Sequence, residues 1–386
     1  MRIGIVCHPS IGGSGLVATQ LAMGLAQRGH QVHVISRERP FKLDPATPNL
    51  MFHPVDPVHY PLFSDPLYTY TLTAKILEVM TEHQLDVVHA HYSIPHSLSA
   101  ILASAIAPRG IPVITTIHGT DVTVIGQDKG LYALNLHSMN QSTRLTTVSH
   151  YQRDYVLEHF PLERPLEVIH NFIDLEVFSP AHASLTLRRE LAADDEKIVM
   201  HVSNFRPIKN SDAVLSAFYQ LTARVKARLV LLGTGPDIDM IKMRCRDLNL
   251  LEQVTFLGDV THVEQYLPVA DCVIQPSYRE SFGMVLLEAM ACAVPTVSSN
   301  VDGITEVVEH GVTGFVADTD DVQALAAYME TLLSCDATAR AMGQAGRERA
   351  ARLFSPQRQL SAYLACYRRA IHAHHGMQSV PREQQG

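Results

Sequence analysis

Glu280-Ser281-Phe282-Gly283-Met284-Val285-Leu286-Leu287-Glu288 joins a small polar loop to the start of an apolar helix. The backbone N–H groups of Phe282, Gly283 and Met284 open that helix and lack helical partners. Such groups bind anions or sugar hydroxyls, and the helix dipole favours negative charge there. Glu280 lies before the helix, beside that position. Glu288 lies about one and a half turns in, within reach of a second polar group on the same ligand. Upstream, Cys272-Val-Ile-Gln-Pro-Ser277 reads as a short buried strand and a turn. Downstream, Ala289 to Pro295 reads as a helix end followed by an extended segment.

The same rhythm opens the chain. Arg2 to Cys7 is an apolar strand, Gly12-Gly-Ser-Gly15 a loop, Leu16 to Arg28 an amphipathic helix ending at Gly29, and Gln31 to Ser36 the next strand. Strand, glycine-rich loop, helix, strand is the start of a doubly wound α/β domain. Further strands are predicted at 86–89, 112–117 and 144–148. The Pro-rich stretch Leu43 to Tyr68 is predicted to be an irregular surface excursion. A second such domain begins near Lys197, with strands at 198–203, 227–232, 254–257, 272–275, 295–298 and 314–316 and a helix at 211–225. The segment Asn171 to Pro180 lies between the halves as a hinge. Ligands of such sheets bind beyond the carboxyl ends of the strands, and every motif discussed here follows a predicted strand.

The chain has 386 residues, 46% of them apolar and 18% charged, which predicts packed globular domains. A net charge of −8 argues against a nucleic-acid partner or an anionic membrane surface. None of the six cysteines forms a Cys-x-x-Cys pair, so neither structural zinc nor redox chemistry is signalled. No apolar run approaches spanning length, and the N-terminal run is too short for a signal peptide; a cytoplasmic location is the simplest expectation.

Asn204-Phe-Arg206-Pro-Ile-Lys209 follows the first strand of the second half. Two cations in a loop before a helix suit a diphosphate, Arg206 as a fork and Lys209 as a point charge. Alone they read more readily as an ordinary surface loop with two cations. With Glu280 and Glu288 in the same half they point to a nucleotide sugar: hydroxyls at two ends, joined by phosphates. Gly233-Thr-Gly-Pro236 is a further turn after a strand. Gly13-Ser14-Gly15-Leu-Val-Ala18 can lay backbone N–H groups on phosphate, and it also matches a dinucleotide fingerprint with Glu38 after the next strand. That rival, a nicotinamide dehydrogenase, is weakened by the residues His8 to Gly12, which separate strand and fingerprint. Asp318-Thr-Asp320 imitates a metal-binding Asp-x-Asp but sits where a helix cap belongs. His89 and His91 share a strand face and read more readily as core histidines than as ligands. Tyr92, Thr116 and His118 end strands of the first half as polar groups.

Glu280 to Glu288 resembles the Glu-x7-Glu signature of the retaining glycosyltransferases of family 4, which have the GT-B fold: two doubly wound Rossmann-like domains facing across a cleft. The segments Cys7 to Gly15, His89 to His96, His118 to Thr123, His201 to Arg206 and Glu280 to Cys292 are similar to a narrower branch of that family. Its members transfer GlcNAc from UDP-GlcNAc to the hydroxyl of L-malate, the first step of bacillithiol biosynthesis. The resemblance runs from about Arg2 to Tyr367. It implies an acceptor-binding domain at 1–170, a nucleotide-sugar-binding domain at 171–355, a helix at 356–376 returning to the first domain, and a disordered tail at 377–386.

It also implies a homodimer and no required metal or other cofactor. Lys209, Arg206, Glu280 and His118 are the implied catalytic residues. The donor is implied to contact Gly13, Ser14, Gly15, Asn204, Arg206, Lys209, Gly233, Glu280, Ser281, Phe282, Gly283, Met284 and Glu288, with Glu280 on the sugar and Glu288 on the ribose. Tyr92, Thr116 and Ser14 are the expected acceptor contacts, with Lys42 or Arg144 as candidate cations for the malate carboxylates. The chain departs from the family at Ala293, where glycine is usual and where only packing is expected to change. It departs again at Pro207 and Asn210, where more basic residues are common, and over Leu131 to Gln141, which carries less charge. Two alternatives remain: a family-4 enzyme with another acceptor, such as an inositol phosphate or a sugar, and a nucleotide-sugar-binding protein without transfer activity.

Overall fold

The computed structural model describes residues 1–10, 12–56, 58 and 67–378. The chain divides into two compact units: Met1–Asn171 with the segment that begins at Pro356, and Phe172–Ser355.

The first unit is built on seven parallel strands: β1 (Arg2–Val6), β2 (Gln31–Ser36), β3 (Leu50–Pro54), β4 (Val87–His91), β5 (Val113–Ile117), β6 (Arg144–Thr147) and β7 (Leu166–Val168). They are ordered β3-β2-β1-β4-β5-β6-β7. Helices cover both faces of such a sheet, so its central strands are buried throughout rather than alternating. Every residue of β4 and β5 is buried. The helix Ser14–Gln27 buries Val17, Ala18, Leu21, Ala22 and Leu25, the spacing of one helical face.

The second unit repeats the plan with β8 (Lys197–Val202), β9 (Ala227–Leu232), β10 (Val254–Gly258), β11 (Cys272–Gln275), β12 (Thr296–Ser299) and β13 (Gly314–Ala317). Their order is β10-β9-β8-β11-β12-β13. Strand order therefore reverses between β1 and β4 in one unit and between β8 and β11 in the other. Those reversals open a crevice at the carboxyl ends of the neighbouring strands.

The expected strands are present, with ends shifted by one or two residues. Two strands escaped the pattern. β3 lies inside the stretch read as an irregular excursion, paired with β2 from Val32↔Leu50 to Ser36↔Pro54. It is an edge strand, and the edge tolerates the proline that disguised it. The rest of that stretch includes residues 57 and 59–66, which lie outside the described residues. β7 has three residues, too few for a period to register. The cap of the helix Val322–Ser334 is Asp321, whose side chain accepts from Ala324 N–H, one residue beyond the Asp-x-Asp.

Ala293 needs correcting too. Its φ is +56°, a left-handed conformation that favours glycine, so the change bears on backbone strain and not on packing alone.

The last helix, Pro356–Gln378, belongs to the first unit. Leu360 packs against Gly24 so tightly that an added Cβ there would lie 2.7 Å from its Cδ1. The Tyr367 hydroxyl lies 2.8 Å from His89 Nδ1, and Arg369 donates to Glu167 at 2.5 Å. The helix extends past 376, and residues 379–386 of the expected tail lie outside the described residues.

Candidate functional site

In the second unit two loops leave the strands that flank the reversal. After β8 the chain turns through Ser203, Asn204, Phe205 and Arg206 into a short 3-10 turn, Pro207–Lys209. A buried histidine props this loop. His201 Nδ1 lies 2.9 Å from the Ile274 carbonyl and its Nε2 2.9 Å from Ser203 Oγ, which in turn accepts from Phe205 N–H at 3.2 Å. Burial lowers the His201 ring to about 4, so it is neutral. Phe205 is fully buried and anchors the turn, while Asn204 and Arg206 are exposed. Gly233, after β9, comes so close that a Cβ would stand 2.0 Å from the Ser203 carbonyl oxygen, and its φ is +109°. Only glycine fits there.

After β11 the loop carries Glu280, Ser281, Phe282 and Gly283. Glu280 is oriented from two sides. Its N–H donates to Asp302 Oδ2 at 3.1 Å, and its Oε2 accepts from Lys209 Nζ at 2.5 Å. Arg279 Nε donates to the same Asp302 oxygen at 3.2 Å. Lys209 and Glu280 are each about four-fifths buried, so their pairing is shielded more than a surface ion pair. Gly283, at φ +97°, turns the chain into the helix Met284–Ala291, whose amino end has no side-chain cap. Phe282 is buried and meets Phe354 edge to face. Glu288 is buried on the same helix. The structure thus brings Lys209 and Glu280 into contact and sets Arg206 apart from them: among the described residues it has no ion pair.

In the first unit the carboxyl ends of β1, β4 and β5 carry aromatic rings. His8, Tyr92 and His118 converge, with ring centroids 5.2 Å apart for His8 and Tyr92 and 5.6 Å for Tyr92 and His118. His96 packs 4.2 Å from His8, and His91 Nδ1 lies 2.8 Å from His118 Nε2. Burial lowers His96 and His118 to about 3 and His91 well below its usual value, so the cluster is neutral. Asp121 organises the loop after β5, accepting from His118 N–H at 3.1 Å and Gly119 N–H at 2.8 Å; burial raises it to about 6. Gly13 caps the first helix at φ +60°, and Ser14 begins that helix, buried. Gly15 packs so closely that a Cβ would lie 2.5 Å from Ser10 Oγ.

Two expectations change, those for Thr116 and Arg144. Thr116 is fully buried, and its hydroxyl lies 2.6 Å from both His89 Nε2 and Thr146 Oγ1. It is enclosed in a network that ends on Tyr367, so it offers no open face to an acceptor. His89 is the satisfied core histidine expected of it. Arg144 is the first residue of β6, at the opposite end of the sheet, and pairs with Glu167 at 3.7 Å. Lys42 stands over the Phe41 ring, 5.7 Å from its centroid. Residues that pattern did not single out also appear: His8 and His201 lay inside quoted motifs without a role, whereas Asp302 and Tyr367 gave no local signal.

Two Rossmann-like units, the second with a Glu-x7-Glu motif at its strand-order reversal, define a GT-B glycosyltransferase. The sequence matches the family described as "Glycosyltransferase Family 4" over residues 11–177 and that described as "Glycosyl transferases group 1" over residues 185–349. It is 37% identical to the N-acetyl-alpha-D-glucosaminyl L-malate synthase of Bacillus anthracis, over 95% of this chain and 96% of that one. It is 30% identical to the D-inositol 3-phosphate glycosyltransferase of Mycobacterium marinum, over 93% of this chain and 82% of that one. The fold also matches Anabaena HepE in complex with UDP and glucose, with a TM-score of 0.78 at 22% identity over 95% and 99% of the two chains. The chain belongs to glycosyltransferase family 4. Among the described residues, no helix is long and apolar enough to cross a membrane.

Proposed function

We propose that this enzyme transfers GlcNAc from UDP-GlcNAc to the hydroxyl of L-malate with retention of anomeric configuration, as the first step of bacillithiol biosynthesis. The observation that carries the reading is the 37% identity to the Bacillus anthracis synthase over nearly the full length of both chains.

In this reading the second unit, Phe172–Ser355, holds the donor and the first, built on Met1–Asn171, the acceptor. The bond between the anomeric carbon and the UDP phosphate oxygen breaks, and the malate hydroxyl oxygen bonds to the same face of that carbon. The departing phosphate oxygen takes the hydroxyl proton. Negative charge grows on the diphosphate, and Lys209 and Arg206 neutralise it. Glu280, held between Lys209 and the Asp302-fixed backbone, accepts from sugar hydroxyls, and Glu288 from the ribose. Asn204, Gly233, Ser281 and the N–H groups of Phe282, Gly283 and Met284 complete the donor site, with Gly13, Ser14 and Gly15 supplying phosphate contacts. His118 holds a sugar hydroxyl. Tyr92 and Ser14 fix malate, and Thr116 acts through His89. The reaction needs no metal, since two cationic side chains carry the leaving-group charge. The enzyme works in the cytoplasm as a homodimer, a state that light scattering of the purified chain tests.

The 30% identity to an inositol-phosphate enzyme supports a second reading, in which the acceptor is an inositol phosphate. A donor-by-acceptor activity screen separates the two, with product mass and anomeric configuration read by NMR. GlcNAc-α-malate is the expected product. Efficient transfer to inositol phosphate with none to malate overturns the first reading, and UDP release independent of any acceptor overturns both.

A further inference from the structure

A second group of histidines lies at the edge of the first unit's sheet, two strands out from the crevice. His33 is on β2, His53 on the edge strand β3, and His83 follows the helix Tyr68–Glu82. β2 and β3 are parallel with Ile35 opposite His53, so His33 and His53 point to the same face. His33 Nδ1 lies 3.0 Å from His53 Nε2. The His83 ring lies 4.3 Å from that of His33 and 5.2 Å from that of His53. One nitrogen from each ring lies within 4.8 Å of the other two.

We propose that His33, His53 and His83 form a binding site for a divalent transition-metal cation, which ties the edge strand to the helix beside it. Nitrogens bound to zinc at about 2.0–2.1 Å in tetrahedral geometry stand about 3.3 Å apart. The 3.0 Å contact between His33 and His53 is already near that spacing, and a His83 nitrogen lies within 4.8 Å of both. His33 is buried, and the nitrogen it turns toward the cluster, Nδ1, is the one that faces His53. Lys75 and Glu78, whose charges reach His53, are paired with each other at 2.7 Å. Three imidazoles leave a fourth position for water, and nitrogen ligands favour zinc, copper or nickel over magnesium or calcium.

The site lies apart from the transfer chemistry, so its test does not depend on turnover. Untagged protein is stripped with EDTA and titrated with Co2+, followed by visible absorption, and with Zn2+, followed by calorimetry. A parallel variant carries His372→Gln, His374→Gln and His375→Gln to remove the competing histidines of the last helix. One equivalent per chain is expected in both proteins, with a rise in melting temperature. Loss of a mere outer-shell partner weakens metal sites roughly 10–100-fold, so His53→Gln and His83→Gln are each expected to weaken binding at least tenfold. Both should abolish the zinc-induced rise in melting temperature while leaving the metal-free circular dichroism unchanged. Binding that disappears in the C-terminal variant, or wild-type protein that takes up no stoichiometric metal, overturns the proposal. Turnover in EDTA is expected to equal that without it, so failure of this site leaves the transfer reading standing.

Discussion

The crevice beside β8 and the crevice beside β1 occupy the same place in the same fold, yet one is built on charge and the other on neutral rings. Beside β8, Lys209 and Glu280 meet at 2.5 Å and Arg206 stands exposed. Beside β1, His8, His91, His96 and His118 pack with Tyr92, and burial keeps the last three of those histidines uncharged. The two sheets have the same strand order around their reversals. The frame therefore sets only where a site lies; the loops decide what it can do. A leaving diphosphate needs cations that are already in position. Neutral rings in a close-packed pocket offer shape and hydrogen bonds without the desolvation cost of a buried charge.

The largest effect should come from the charged side. Lys209→Ala removes the proposed diphosphate partner and the cation that meets Glu280. Loss of one preorganised group that stabilises transition-state charge lowers kcat by roughly 10²–10³-fold. UDP-GlcNAc binding should weaken far less, because the charge on the diphosphate grows only as the bond breaks. Steady-state kinetics together with calorimetric titration of UDP check this. Near wild-type kcat in both Lys209→Ala and Arg206→Ala would show that charge beside β8 is incidental and dissolve the contrast.

On the neutral side, pH is the lever. His89, His96 and His118 are lowered to about 3 by burial, whereas an unfolded histidine titrates near 6.5. Below 6.5 the unfolded chain therefore binds protons that the folded chain does not, and stability falls as pH falls toward 3. Each such histidine costs up to about 1.4 kcal/mol per pH unit in that window. Asp121, raised to about 6, acts in the opposite sense between 6 and the unfolded carboxylate value near 3.9, offsetting roughly one histidine. Urea denaturation at pH 7.5, 6.5 and 5.5 should show a loss that falls mostly between 6.5 and 5.5, reduced in His96→Gln with His118→Gln but not removed, because His89 and His91 remain. A flat profile would mean that the rings accept protons and that the first crevice is not neutral.

This contrast was only half legible in the sequence. Glu280, Glu288, Arg206 and Lys209 stand in short motifs after apolar strands, and charged residues in such loops are rare enough to be noticed. The alternation of apolar runs and glycine-rich turns also revealed most of both sheets. The neutral cluster depends on which strands lie side by side. His8, His91 and His118 are separated by some 110 residues of chain and meet only because β1, β4 and β5 are adjacent. The enclosure of Thr116 depends on Tyr367, which comes from a helix near the far end of the chain. Asp302 fixes Glu280 from 22 residues away, with no motif around it. Local pattern reports the face of an element, not its neighbours.

A smaller effect separates the two sides by substrate. The Tyr92 ring stacks near His118, and its hydroxyl is the proposed donor to a malate carboxylate. A hydrogen bond to a charged group contributes roughly 1.5–3 kcal/mol, so Tyr92→Phe should raise the KM for malate about ten- to hundredfold. The KM for UDP-GlcNAc should stay within a factor of two or so, since its proposed contacts lie mainly in the second unit. Equal rises in both constants would mean that the two sites are not separable in this way.

The smallest effect tests whether Thr116 meets the acceptor or only supports the residues that do. Valine matches threonine in shape and lacks the hydroxyl. In Thr116→Val the buried His89 Nε2 and Thr146 Oγ1 each lose a partner at 2.6 Å, while His89 keeps Tyr367 at 2.8 Å. Leaving a buried polar atom unsatisfied costs about 1–3 kcal/mol, so the loss should appear in stability, with the urea midpoint shifted and the slope unchanged. The KM for malate should move by less than about threefold, because geometry is transmitted through His89 rather than by direct contact. Tyr367→Phe should reproduce the pattern, since it removes the other end of the same network. A tenfold rise in the malate KM with stability intact would show that the hydroxyl leaves this network to bind the substrate. The crevice beside β1 would then rearrange around its ligand, and the contrast with the charged crevice would extend from composition to mobility.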